Sequence, residues 1–146
     1  MRFLLVNGPN LNTLGSREPE IYGTATLADI ERMVSERAAG VGVEVRAFQA
    51  NGEGELIDWI QREQKDAIGL IVNAGALTHS SIALRDAIAA TDLPAIEVHI
   101  SNVYRREEFR HTSLLGAVCT GSIVGLGAQG YVLAVDALAR IVKGAE

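Results

Sequence analysis

A single cysteine in 146 residues excludes an internal disulfide. Cys119 lies in Gly116-Ala117-Val118-Cys119-Thr120-Gly121, where the neighbours are small and apolar and no cation favours a thiolate, so it reads as packing. Histidine is also scarce. His79, His99 and His111 never fall at the short spacings of a metal site, and no thiolates cluster beside them, so no metal is expected. The net charge is -5, and no run of Lys or Arg forms a basic stripe. Attraction to phosphate backbones is therefore missing, and nucleic acid is not an expected partner. No apolar run has the length of a membrane span, and none has the form of a signal-peptide core, so a cytoplasmic protein with no membrane contact is expected.

What is present is an alternation. The hydrophobic content of 48% supports one substantial core, and neither an internal repeat nor a low-complexity linker divides the chain, so a single domain over 1–146 is expected. Strand-like runs at Phe3-Val6, Val43-Phe48, Ile68-Val72, Ala95-Ile100 and Ser122-Val124 alternate with helical patterns at Thr26-Ala39, Glu55-Gln64, Ser80-Ala90 and Ala128-Val142. This order predicts an α/β fold, a flavodoxin-like three-layer sandwich with a five-stranded parallel sheet in the order 2-1-3-4-5. Thr24 or Thr26 is suited to cap the first helix and Gly40 and Gly42 to stop it, while Thr78 or Ser80 is suited to cap the third. The segment at about 11–23 is the exception. It has no periodicity, carries Arg17, Glu18, Glu20 and Tyr22 between Gly15 and Gly23, and is long for a compact α/β domain. It reads either as a solvated loop or as a lid.

Two runs begin as buried strands and end in polar side chains. The first is Phe3-Leu4-Leu5-Val6-Asn7-Gly8-Pro9-Asn10-Leu11-Asn12, and the second is Glu97-Val98-His99-Ile100-Ser101-Asn102. In open α/β sheets ligands sit beyond the carboxyl ends of the strands, which gives those side chains a physical reason to be there. Glu97, His99 and Ser101 share one face by period-two alternation. A carboxylate beside an imidazole fixes its tautomer and raises its basicity, which suits a general acid. His79 and Asp86, seven residues apart, would frame a ligand from one side of the third helix, with Asn73 ending the strand before it. The alternative is a cap-region histidine and a solvated charge. Tyr22 with Arg17 is a candidate base. A free phenol titrates near 10, so a tyrosinate at neutral pH needs about 4 kcal/mol of stabilisation. One Arg about 4 Å away supplies about 1 kcal/mol in water and about 4 at an effective dielectric of 20, so the site has to be partly dry. Arg110 offers a second cation, for a substrate anion or for a surface salt bridge.

These residues together resemble a known family, type II 3-dehydroquinate dehydratase. The resemblance runs through Asn7-Gly8-Pro9-Asn10-Leu11-Asn12, Gly15 to Arg17-Glu18-Pro19 and Tyr22-Gly23, then Asn51 with Glu53-Gly54-Glu55-Leu56-Ile57-Asp58-Trp59. It continues with Asn73, Gly75-Ala76, Thr78-His79, Arg85-Asp86, Glu97 to Asn102, Arg106 to His111, and Gly125 through Gly127-Ala128-Gln129-Gly130. It implies a cofactor-free anti elimination of water from 3-dehydroquinate, giving 3-dehydroshikimate through an enolate, in the shikimate pathway or in quinate catabolism. By the same resemblance Tyr22 is the base and Arg17 the lid cation that keeps it ionised. Asn10 holds the donor facing the enolate oxygen. His99, backed by Glu97, is the acid for the departing hydroxyl. Asn73, His79, Asp86 and Arg110 bind substrate, and the backbone at Ile100 and Ser101 receives its carboxylate. The family's usual assembly is a homododecamer, a tetramer of trimers.

An imine route to the same dehydration needs a buried lysine, and Lys65 and Lys143 are both remote from any strand's carboxyl end. The chain departs from the usual family residues at Gly52, Ala74, Leu77, Thr112 and Leu114, positions expected to shape the pocket rim or its neighbours. Fold alone also suits an FMN or other phosphate-binding module, yet the first loop lacks an amide cradle for phosphate. An inactive relative that binds a ring acid is a third reading.

Overall fold

The computed structural model describes residues 1–144. Five parallel strands run in the order β2-β1-β3-β4-β5, as the alternation predicts. They are β1 (Arg2–Asn7), β2 (Glu44–Gln49), β3 (Gly69–Asn73), β4 (Ala95–His99) and β5 (Gly121–Val124). The helices are α1 (Pro19–Tyr22), α2 (Leu27–Gly40), α3 (Glu53–Glu63), α4 (Ile82–Thr91) and α5 (Gln129–Val142).

The apolar runs of β1 and β3 are explained by burial on both faces. Phe3, Leu5 and Ile71 pack with α2 and α5 through Ile30, Val34, Val135 and Leu138. Leu4, Val6, Leu70 and Val72 face the opposite way, against Leu56, Trp59 and Ile60 of α3 and Leu84 and Ile88 of α4. Each fully buried side chain of this kind contributes about 1.5–3 kcal/mol, so the two cores fix strand register as well as stability. At the edge, β2 is only partly covered: Val45 packs toward the α2–α5 core and Phe48 toward the α3–α4 core, while Glu44 and Arg46 stay exposed.

Three local expectations are corrected. Ser81, not Thr78 or Ser80, caps α4, its Oγ accepting the Leu84 N–H at 2.9 Å. Thr78 and Ser80 are taken up by the 3-10 turn Gly75–His79 and its end. Strand β4 ends at His99, so Ser101 lies in the bend beyond it rather than on the strand face. The segment after β1 is not irregular throughout, because it contains a 3-10 turn at Leu11–Thr13 and the short helix α1. Thr26 does cap α2, in a reciprocal box with Asp29.

Strands β1 and β3 end side by side, with Asn7 opposite Asn73. Tyr131 of α5 ties the two ends together. Its hydroxyl donates to Asn7 Oδ1 at 2.8 Å and accepts from Asn73 Nδ2 at 2.7 Å. Burial pushes the Tyr131 phenol well above the ordinary tyrosine range, so it keeps its proton and this direction of donation. The turns that follow touch closely. A Cβ on Gly8 would stand 2.3 Å from the Ala74 carbonyl oxygen, so no other residue fits there.

Candidate active site

The chain leaves β1 toward β2 and returns on the other side of β1 to form β3, which makes the carboxyl ends of β1 and β3 the switch point of the sheet. A cleft of about 140 Å³ opens there, and three segments line it. From beyond β1 come Asn10, Arg17 and Tyr22, from the end of β3 and beyond it Asn73 and His79, and from β4 and beyond it His99, Ile100, Ser101, Arg106 and Arg110.

Asn10 adopts a left-handed backbone conformation, φ 71°, and its N–H donates to Asn51 Oδ1 at 3.0 Å. Asn pays little for this conformation, and the bond to Asn51 holds it. Glu18, φ 41°, turns the chain into α1, whose last residue is Tyr22. Over the Tyr22 ring lie two guanidinium groups, Arg17 at 4.8 Å and Arg106 at 5.2 Å from the centroid. Arg106 is the residue that the sequence reading missed. Its side chain is 14% exposed, its Nη1 donates to Ser101 Oγ at 3.2 Å, and His111 Nε2 donates to its carbonyl at 3.1 Å. The available signal was its place four residues before Arg110 in the motif Arg106-Glu107-Glu108-Phe109-Arg110-His111.

Across the cleft, His99 Nε2 donates to Glu97 Oε2 at 2.6 Å. A carboxylate only accepts, so Nε2 carries the hydrogen and Nδ1 is the ring's other nitrogen for the cleft. Glu97 is 2% exposed and lies behind His99 rather than in the cleft itself. Burial opposes its charge, but hydrogen bonds from His99, Ser113 and Ser122 outweigh burial and hold the carboxyl below the ordinary glutamate range. His79 stacks on His99 with centroids 6.3 Å apart. Its Nδ1 donates to the Thr112 carbonyl at 2.8 Å, leaving Nε2 as an acceptor in the neutral ring.

Asp86 does not join this group. His79 precedes α4 in a 3-10 turn, so the seven-residue spacing is not two turns of one helix. Asp86 instead points to solvent, 63% exposed and paired with Arg85 at 2.8 Å. Arg110 lines the cleft while its Nε donates to Glu107 Oε1 at 2.8 Å. Lys65 and Lys143 are absent from the cleft lining. Among the described residues no three His, Cys, Asp or Glu side chains are grouped to hold a metal ion, and no helix is long and apolar enough to cross a membrane.

The family described as Dehydroquinase class II matches residues 1–139. The chain belongs to the class II dehydroquinase family. It is 57% identical over 136 residues to the 3-dehydroquinate dehydratase of Roseiflexus castenholzii, covering 93% of this chain and 87% of that one. It is 56% identical over 144 residues to that of Anoxybacillus flavithermus, covering 99% and 97%. Its backbone matches the crystal structure of type II dehydroquinase from Butyrivibrio crossotus with a TM-score of 0.91 and 47% identity, over 94% of this chain and 97% of that one.

Where this class II dehydroquinase departs from usual family residues, the cleft wall of the subunit is untouched. Gly52, Ala74, Leu77, Thr112 and Leu114 are all missing from its lining, so of the two expected effects, on the rim or on its neighbours, only contacts with neighbouring residues are left to them. Ala74 is fully buried against Gly8, Leu77 packs on the α3–α4 core, and Thr112 serves His79 through its backbone.

Proposed function

We propose that this protein dehydrates 3-dehydroquinate to 3-dehydroshikimate by anti elimination through an enolate, with no cofactor, the step used in both the shikimate pathway and quinate catabolism. The observation that carries the reading is one cleft holding a tyrosine under two guanidinium groups on one side and a carboxylate-bound histidine on the other. That is a base and an acid at separate positions, which an elimination needs.

Tyr22, as phenolate, takes the proton from the carbon beside the ketone, and the electron pair moves onto the carbonyl oxygen. Arg17 and Arg106 stabilise the phenolate, and Asn10 holds the donor that faces the enolate oxygen. The enolate then re-forms the ketone as the C–O bond breaks. His99, doubly protonated and held by Glu97, gives its Nδ1 proton to the departing hydroxyl, which leaves as water. Asn73, His79 and Arg110 bind the ring substituents, and the Ile100–Ser101 bend receives the carboxylate. Residues 11–23 act as a lid on one domain that spans the chain, and the protein works as a cytoplasmic homododecamer, a tetramer of trimers.

The deciding experiment is ultraviolet absorbance after purified protein meets 3-dehydroquinate, because dehydration creates a conjugated enone carboxylate. A rise without added metal or cofactor is expected. Flat absorbance with the ring acid still bound would reject the reaction. Borohydride added with substrate should trap no adduct, since no lysine lines the cleft. Light scattering of the purified protein tests the assembly.

A further inference from the structure

The Glu97–His99 pair has a second set of contacts that the elimination chemistry alone does not require. Glu97 Oε2 accepts from Ser113 Oγ at 2.7 Å as well as from His99, and Glu97 Oε1 accepts from Ser122 Oγ at 2.9 Å. These three side chains are the donors to Glu97 among the described residues. They come from three places: β4 itself, the loop before β5, and β5. The two serines differ in what else they do. Ser113 Oγ also accepts the N–H groups of Leu115 and Gly116 at 3.1 and 3.0 Å, so it shapes the loop. Among the described residues Ser122 makes no other side-chain hydrogen bond, and it is exposed on β5, the edge strand opposite β2.

We infer that Ser122, helped by Ser113, is a positioning residue for catalysis, one that holds the Glu97 carboxylate by its far oxygen and limits how strongly Glu97 draws on the His99 proton. This inference rests on the reading of His99 as the acid. Hydroxyl donors share the negative charge of a carboxylate, so a carboxylate with more donors pulls less on any one of them. Without the donors, the carboxylate and imidazole as a coupled pair would keep their proton to higher pH, and the histidine would be a weaker acid for the leaving hydroxyl. With them, the depressed carboxyl of Glu97 remains an acceptor through the reaction.

Several other titratable or charged groups lie near the pair. His79 stacks on His99, and Arg110, Tyr104 and His111 line the cavity behind it. Arg106, Arg17 and Tyr22 share its cleft. Cys119 stays a neutral thiol, pushed up to about 12 by burial and by the charge on Glu97. None of them donates a hydrogen bond to Glu97, so the serines are the groups whose removal changes its donor count.

The test is the pH profile of kcat for the full protein and for Ser122→Ala, Ser122→Thr and His99→Gln, with 3-dehydroquinate. Ser122→Ala is expected to move the alkaline limb upward by about half a pH unit or more and to lower kcat about threefold to tenfold, with KM and the acid limb unchanged. Ser122→Thr keeps the hydroxyl, and the exposed position has room for the extra methyl, so the limb should return toward its original place. An alkaline limb that stays put in Ser122→Ala while it vanishes in His99→Gln would overturn the serine role alone. A limb that persists in His99→Gln would overturn the acid assignment, and this inference with it. Lower kcat with both limbs unmoved would make Ser122 merely structural, and that outcome also rejects the proposal.

Discussion

The two walls of the cleft are built in opposite ways. The wall at β4 is dry and cross-braced: Glu97 and His99 are 2% and 7% exposed, and Glu97 receives three hydrogen bonds. The wall after β1 is wet and lightly held. Arg17 pairs with Glu18 at 3.6 Å near the surface, its side chain 35% exposed, and Tyr22 is held by α1, one helical turn long. A strand end in a buried sheet pre-places an acid at the cost of burying a charge. A short helix in an exposed connection holds the base side with fewer contacts. In the proposed reaction the departing hydroxyl meets a donor on a buried strand end, while the enolising carbon meets a group on a more exposed segment.

Four experiments test this contrast between the walls. Tyr22→Phe should lower kcat by about 10²- to 10⁴-fold while leaving the melting temperature near that of the parent, because the hydroxyl lost is not part of the core. Unchanged turnover would remove Tyr22 from the chemistry. Glu97→Ala should damage stability as well as activity. It strands two serine hydroxyls and the His99 ring, and removing one partner of a buried charged pair costs about 3 kcal/mol or more. Chemical denaturation measures it, and a loss as small as that of Arg17→Gln, within about 0.5 kcal/mol, would erase the difference between the walls.

Tyr131→Phe should cost about 1–3 kcal/mol by freeing the buried amides of Asn7 and Asn73, and it should raise KM through Asn73 more than it lowers kcat. Equal effects on both would show that the strand-end bridge does not orient the cleft. The smallest effect is on acid stability. Because the Glu97 carboxyl is depressed in the folded state, its contribution is fully present above the ordinary glutamate range near 4.3 and fades as pH falls through the lower folded value. Stability curves of the parent and Glu97→Gln should therefore converge at low pH and separate above it.

Much of this was readable along the chain, and the misses have causes. The strands were found within a residue or so because β1 and β3 are buried on both faces and write unbroken apolar runs. The cap of α4 was misplaced because Thr78, Ser80 and Ser81 offer three hydroxyls in four residues, and only the preceding turn decides which one is free to cap. The seven-residue spacing of His79 and Asp86 suggests two turns of one helix, but the chain between them is a 3-10 turn followed by α4, and sequence alone does not show that break. Arg106 was passed over because a sequence of charges such as Arg105-Arg106-Glu107-Glu108 does not say which side chain turns inward.

The alternation of elements, and with it the parallel sheet and the polar strand ends, is written along the chain, since hydrophobic periodicity and punctuation are local properties. The sequence also carries the family, through ordered motifs spread over nearly the whole chain. Which groups face one another is settled by folding alone: Arg106 over Tyr22, Tyr131 between Asn7 and Asn73, and Ser113 and Ser122 on Glu97. Each of these contacts joins segments whose approach is fixed by sheet order and core packing, and hydrogen bonds and electrostatics act over distances that the chain shows only once it is folded.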